Sequence, residues 1–323
     1  MADDPQDERG RRLGVVGLGR IGGGLALQAT EKGIDVVGKH TRPRPDMAAA
    51  GVDVVTEARA LAERLPQPRL IYLSVPAGAA IDAVLEELAP HLGAGDVVMD
   101  GGNSWYRDSM RRAEDLRRAG VIYMDVGTSG GVPGARRGAC FMVGGDAEGF
   151  ALAAPVLRAL AVCDAAVIHT GPSGSGHFVK LVHNGIEFGM LQAIGEGYAL
   201  LKDSAFDLDP AEIFGNWSNG SVIRGWLVEL MHQQLRDQGA QTDAVPDYVE
   251  DTGEVNWLVQ EAIGREVPIP VITQAVIELF RSRTDDASAY RAVALMRHGF
   301  GDHPFGRDED IAEKRGTSRL EGI

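Results

Sequence analysis

Lys180, His183, Asn184 and Glu187 stand at i, i+3, i+4 and i+7 in a Pro-free stretch, Ser173 to Lys202, that opens with Gly174 and Gly176. At roughly 100° per residue that spacing returns to one face of a helix. An amine, an imidazole, an amide and a carboxylate therefore share a stripe. Phe178, Val179, Leu181, Val182 and Ile186 take other directions. Amines and carboxyls are groups that move protons. At about 1.5 Å of rise per residue, Lys180 and Glu187 lie about 10 Å apart along the axis. A small polyol fits that gap with one end against each group. The same spacing suits a plain polar face, so the reading turns on what positions the stripe.

The first half of the chain supplies a candidate platform. Leu13 to Gly17 reads as a buried strand and runs into Gly17-Leu-Gly19-Arg20-Ile21-Gly22. In this GxGxxG, Gly17 allows a tight turn, Gly19 lets a pyrophosphate approach the backbone, and Gly22 lets the next helix pack close. That helix, expected over Leu25 to Lys32, offers free amides at its start. A second strand, Ile34 to Gly38, ends in Lys39, His40, Thr41 and Arg42, with no acid at its tip. An acid there suits the ribose of NAD and an arginine the extra phosphate of NADP, so Thr41 and Arg42 favour NADP over NAD.

Strands and helices keep alternating. Strands are expected at 52–55, 70–75, 96–99, 121–126, 140–145 and 167–170, with helices at 56–65, 79–91, 105–119 and 146–160. This predicts an α/β, doubly wound parallel sheet. Ligands in such sheets sit beyond the carboxyl ends of strands. Two glycine-rich segments fall there: Asp100-Gly101-Gly102-Asn103-Ser104 and Gly127-Thr128-Ser129-Gly130-Gly131. After the long helix the alternation stops. Asp209-Pro210 caps a helix over 211–217, Ser221 is expected to cap one over 222–235, and helical periodicity continues at 254–263, 269–283 and 288–297. The organisation expected is a disordered lead-in at 1–12, a dinucleotide-binding domain at 13–172, an all-helical substrate and dimerisation domain at 173–306, and a charged tail at 307–323.

The chain has 323 residues and a net charge of −14. That balance argues against nucleic-acid and anionic-membrane partners, and an anionic substrate would need a local cluster of positive groups. The two cysteines, Cys140 and Cys163, match no metal or CxxC spacing and fit a reducing cytoplasm. No segment has the length and apolarity of a membrane span, and the acidic start is no signal peptide. A cytoplasmic location is expected.

The motifs GLGRIG, DGGNSWYRDS, GTSGGVPGARRG, GHFVKLVHNGIEFG and RHGFGDH, spread from residue 17 to residue 303, resemble those of decarboxylating 6-phosphogluconate dehydrogenases. The chain looks like the short form, within the wider β-hydroxyacid dehydrogenases. The resemblance implies a Rossmann-like domain followed by an all-α domain. It implies oxidation of 6-phosphogluconate to ribulose 5-phosphate and CO₂ with a nicotinamide cofactor and no metal. It gives Lys180 the part of general base and Glu187 that of general acid. Asn103, Ser129, Gly130, Gly131, His183 and Asn184 match substrate contacts. Arg297 and His303 match a pair reaching the substrate phosphate from a neighbouring subunit, in a homodimer or homotetramer. The candidate cofactor residues are Gly17, Gly19, Arg20, Ile21, Gly22, Thr41, Arg42, Val75 and Asn103. The implied chemistry requires a neutral Lys180 at the start and a proton on Glu187, and burial under the nicotinamide would serve both.

Four positions depart from the pattern. Phe188 replaces a Tyr after the acid, Glu254 stands where long forms carry a Lys, Leu279 replaces an Arg, and Gly24 an Asn. The alternatives are a related dehydrogenase acting on another small hydroxy acid, the same reaction with a deazaflavin acceptor, and a nucleotide-sensing protein with a dead site.

Overall fold

The computed structural model describes residues 12–307. Most of the expected lead-in and charged tail lies outside them. Among the described residues, 12–237 together with Asp251–Val276 form one compact unit, and Gln238–Glu250 with residues 277–307 form another.

The first unit is built on an eight-stranded sheet: β1 (Arg12–Val16), β2 (Asp35–Lys39), β3 (Asp53–Val55), β4 (Leu70–Leu73), β5 (Val97–Asp100), β6 (Ile122–Ser129), β7 (Cys140–Gly144) and β8 (Val167–Gly171). Its order is β3-β2-β1-β4-β5-β6-β7-β8. Interleaved are α1 (Arg20–Glu31), α2 (Pro45–Ala49), α3 (Ala58–Arg64), α4 (Ala79–Leu88), α5 (Tyr106–Arg117), α6 (Gly131–Arg137) and α7 (Ala147–Leu160). Both faces of the sheet are covered, so its strands read as apolar runs. Alternate residues feed two cores. Leu13, Val15, Tyr72, Val97 and Met99 pack with Leu25 and Ala29 of α1 and Leu157 of α7. Val16, Ile71, Leu73 and Val98 pack with Leu61 of α3 and Ile81 and Leu85 of α4. The order reverses between β1 and β4, which opens a crevice at their carboxyl ends.

The sheet is not wholly parallel. β7 runs antiparallel to β6, with Ser129 opposite Cys140 and Asp125 opposite Gly144. Gly127, Thr128 and Ser129 extend β6 instead of forming a loop, and the turn comes at Gly130 and Gly131, with φ of 116° and 60°. The short α6, which starts at Gly131, was not expected, because Pro133 and the two glycines within it conceal its periodicity. It is too short to carry the chain back across the sheet for a parallel return.

The helical part opens with α8 (Ser175–Lys202), then α9 (Pro210–Ser218), α10 (Trp226–Gln238), α11 (Glu254–Gly264), α12 (Pro270–Ser282) and α13 (Ser288–Gly301). Among the described residues no strand follows Gly171. Asp209 caps α9, its Oδ1 accepting from the backbone N–H of Ala211 at 2.9 Å and of Glu212 at 3.2 Å. Ser221 is a correction. It caps nothing: its Oγ donates to the Trp217 carbonyl at 2.6 Å, and the next helix starts only at Trp226. No helix among the described residues is long and apolar enough to cross a membrane.

Candidate active site

The stripe on α8 is placed by one buried acid and two glycines. Asp125 of β6 is fully buried and lies under the start of α8. Its Oδ1 accepts from the Gly174 N–H at 2.7 Å and its Oδ2 from the His177 N–H at 2.9 Å. An anion against the free amides of a helix N-terminus satisfies donors that the helix itself leaves open. The helix then lies directly on the strand. A Cβ on Gly127 would stand 2.5 Å from the Lys180 Cβ, and one on Gly176 would stand 2.3 Å from the Asp125 carbonyl oxygen. Bare backbone at both positions sets Lys180 against β6.

Lys180 and Asn184 are buried. Lys180 Nζ is 3.3 Å from His183 Nδ1, and His183 Nε2 is 3.0 Å from Ser129 Oγ. His183 Nδ1 also lies 3.2 Å from Asn184 Oδ1 and 3.8 Å from Glu187 Oε2. Asn184 Nδ2 points to Asn103 Oδ1 and to Glu254 Oε1, each at 3.5 Å. Asn103 holds a left-handed backbone, φ 57°, which Asn tolerates better than most side chains. Burial pushes the Lys180 amine below its ordinary pKa, against the opposing pull of Glu187, Glu254 and Cys140. Burial, and then the Lys180 charge, also lower the His183 imidazole. Burial raises the nearby Cys140 thiol.

Lys180, His183, Asn184, Glu187, Asn103, Ser129 and the Gly130–Gly131 turn thus share the first unit. Arg297, on α13, and His303, just after it, belong to the second, where the His303 ring stands 5.9 Å from that of Phe300. The Glu187 side chain is 40% exposed. Phe188 packs with Leu181, Val255 and Leu258 in an apolar cluster. The sequence reading missed Asp125, although a lone charge inside the apolar run Ile122 to Val126 was a signal.

The glycine loop fits a dinucleotide. Gly17 has φ 93°, and a Cβ there would stand 2.3 Å from the Ser74 carbonyl oxygen and 2.9 Å from Val75 Cγ1. A Cβ on Gly22 would stand 2.0 Å from the Gly17 carbonyl oxygen, so strand, turn and helix close only with glycine at both positions. Gly19, by contrast, faces open space: nothing lies within 4 Å of a Cβ there. Arg20 opens α1 and is exposed, and Ile21 beside it is half-buried. Thr41 and Arg42 are exposed past the end of β2. Lys39 at that tip is buried, and its Nζ pairs with Glu87 Oε2 at 2.6 Å, so it is not available to a ligand. Arg44, which the sequence reading passed over, donates from Nη1 to the Leu18 carbonyl inside the glycine loop and pairs with Asp46 at 2.6 Å.

Comparison with known proteins bears on this constellation. Residues 12–171 match the NAD binding domain of 6-phosphogluconate dehydrogenase. Residues 176–313 match the 6-phosphogluconate dehydrogenase C-terminal domain. The chain is 42% identical over 301 residues to the NAD(+)-dependent, decarboxylating 6-phosphogluconate dehydrogenase of Haloferax volcanii, covering 93% of this chain and 100% of that one. It is 36% identical to an NAD(+)-dependent enzyme of the same name from Bacillus subtilis, but spans only 61% of that longer protein. The solved structure of Plasmodium falciparum 6-phosphogluconate dehydrogenase superposes with a TM-score of 0.77 at 27% identity, covering 92% of this chain and 66% of that one. On this evidence the chain belongs to the 6-phosphogluconate dehydrogenase family.

Proposed function

We propose that the chain oxidises 6-phosphogluconate and decarboxylates the product to ribulose 5-phosphate and CO₂. The observation that carries this reading is the buried amine of Lys180 beside His183, Asn184 and Asn103, in the same unit as a glycine loop fitted to a dinucleotide. A bound nicotinamide would supply the acceptor for the hydride that leaves the alcohol carbon. Lys180 takes the hydroxyl proton, and burial, which lowers its pKa, favours the neutral amine that this step needs. The resulting ammonium then hydrogen-bonds the new ketone oxygen, which receives the electrons released when CO₂ departs. Glu187 delivers a proton to the enediol carbon, and its partial exposure gives it a route for reprotonation. His183 links Lys180 to Ser129 and, with Asn184 and Asn103, orients the sugar acid.

The finer assignments belong to the same proposal. Residues 13–172 bind the dinucleotide and 173–306 form the substrate and dimerisation domain. Gly130 and Gly131 bring backbone to the substrate, and Gly17, Gly19, Arg20, Ile21, Gly22, Val75 and Asn103 line the cofactor. Arg297 and His303 of a neighbouring subunit take the phosphate, in a homodimer or homotetramer. NADP is preferred through Thr41 and Arg42. Arg42→Ala is expected to raise the KM for NADP by about 10-fold through loss of a charge-assisted contact, with the KM for NAD unmoved. Steady-state kinetics with both dinucleotides check this, and an unmoved NADP KM removes Arg42 from the site.

One assay plate tests the whole reading: gluconate and 6-phosphogluconate, each with NAD, NADP and a deazaflavin, read by absorbance and CO₂ release. Turnover of 6-phosphogluconate with a nicotinamide dinucleotide is expected, with kcat/KM for gluconate lower by at least about 10-fold for want of the phosphate contacts. Oxidation without CO₂ would favour a dehydrogenase for another hydroxy acid. Equal rates with gluconate would undo the assignment of Arg297 and His303.

A further inference from the structure

Two loops border the crevice at the ends of β4 and β5, and one buried side chain joins them. Arg112 of α5 is 2% exposed. Its Nη2 donates to the Gly78 carbonyl at 3.0 Å, and its Nε to Asp82 Oδ1 at 2.8 Å, both on the β4 side. Its Nη1 donates to Ser104 Oγ at 3.0 Å and reaches Asp100 Oδ2 at 3.4 Å, both on the β5 side. Asp100 is fully buried. Its Oδ1 accepts from the Gly102 N–H at 2.9 Å, and its Oδ2 from Ser104 Oγ at 2.8 Å and the Tyr123 hydroxyl at 2.5 Å.

Asn103 sits between Gly102 and Ser104, so Asp100 holds the chain on each side of the one left-handed residue in that loop. Such a conformation persists only where its surroundings over-determine it. The two loops also touch: a Cβ on Gly102 would stand 2.7 Å from the Val75 carbonyl oxygen. A planar fork of donors can grip both loops at once, whereas an ammonium is a single point.

We propose that Arg112 is a positioning residue for the reaction: it locks the loop after β4 to the loop carrying Asn103, so that both meet dinucleotide and substrate as one rigid surface. This rests on the functional reading above. Arg112 touches neither ligand itself and acts through Val75 and Asn103.

The test pairs Arg112→Lys with Arg69→Lys. Arg69 makes a similar pair with the buried Asp96, at 2.8 Å, but at the opposite ends of β4 and β5. Lysine at either position keeps the charge, so no carboxylate is left without a cation nearby. Turnover and the Kd for NADPH, from fluorescence titration, are measured well below both melting midpoints. For Arg112→Lys, kcat is expected to fall by about 10²-fold and the Kd to rise by about 10-fold, as a displacement of about 1 Å would cause. Arg69→Lys is expected to change neither by more than about 2-fold, being remote from the ligands. Equal losses in the two variants, or an unchanged Arg112→Lys, overturn the proposal. If Arg112→Lys does not fold, Ser104→Ala decides: a fall in kcat of about 10-fold supports the clamp and wild-type kcat rejects it. A wild-type chain that binds NADPH but leaves 6-phosphogluconate untouched defeats the functional reading instead, and the Kd comparison alone then judges the clamp.

Discussion

Lys180→Met is expected to lower kcat/KM for 6-phosphogluconate by about 10⁴-fold, the upper end of what a positioned general base contributes, because the amine serves twice. In the proposed mechanism it accepts the hydroxyl proton and then holds the ketone oxygen while CO₂ leaves. The pH dependence of the wild-type enzyme carries the same signature. Burial lowers the Lys180 pKa from its ordinary 10.5. As pH falls through the lowered value the amine takes up a proton and the rate falls with it, so Lys180 sets an acid limb in kcat/KM that the variant lacks. Stability moves in the same direction with pH. Between the lowered folded value and 10.5 the unfolded chain binds more protons than the folded one, so wild-type stability rises with pH across that window. Below the window the folded protein carries a desolvated ammonium, and Lys180→Met relieves it. Denaturant melts at a series of pH values should find the variant more stable than wild type at low pH, with the gap closing as pH approaches 10.5. A variant that keeps full turnover, or whose stability parallels wild type at every pH, removes Lys180 from the role given to it.

What the sequence could disclose followed from the range of the interaction concerned. The polar stripe at 180, 183, 184 and 187 was legible because helical period alone puts those groups on one face. The glycine fingerprint was legible from its spacing after a strand, and Gly17 and Gly22 do meet backbone where any Cβ would clash. Contacts between remote residues were not legible. Lys39 looked free beside His40 and Arg42, yet it is matched to Glu87, 48 residues away, which no local pattern announces. Arg112 stood in an arginine-rich helix with nothing to separate it from the exposed Arg111 and Arg117. The direction of β7 depended on how far the chain travels between two strands, and α6 is shorter than a parallel crossover needs. The exposure of Glu187 is likewise a tertiary fact, since position on the stripe does not say how deeply each end is covered.

Gly127→Ala is expected to separate the site from the fold that carries it. The added methyl would stand 2.5 Å from the Lys180 Cβ and 3.0 Å from the Gly176 carbonyl oxygen. Neither is the far end of a flexible chain, so no rotamer change relieves the contact. Either α8 lifts from β6 or β6 bends. Overpacking of this kind costs about 1–3 kcal/mol, which a denaturant melt would register. The kinetic effect should exceed what that destabilisation implies, because a shift of about 1 Å at a reacting group costs about 10²-fold in rate. The shift also admits water beside Lys180. Its amine then regains part of its ordinary proton affinity, and the acid limb of kcat/KM moves to higher pH. Gly19→Ala gives the contrast. A Cβ there meets nothing within 4 Å, so the fold should keep its stability to within about 0.5 kcal/mol while dinucleotide affinity falls, because the methyl occupies space reserved for the pyrophosphate. Two single methyl groups on glycines of the same unit thus have opposite consequences: one strains the packing that seats the base, the other leaves packing alone and blocks a ligand. If Gly127→Ala kept wild-type kcat and an unmoved acid limb, the depth at which Lys180 is buried would not depend on its contact with β6.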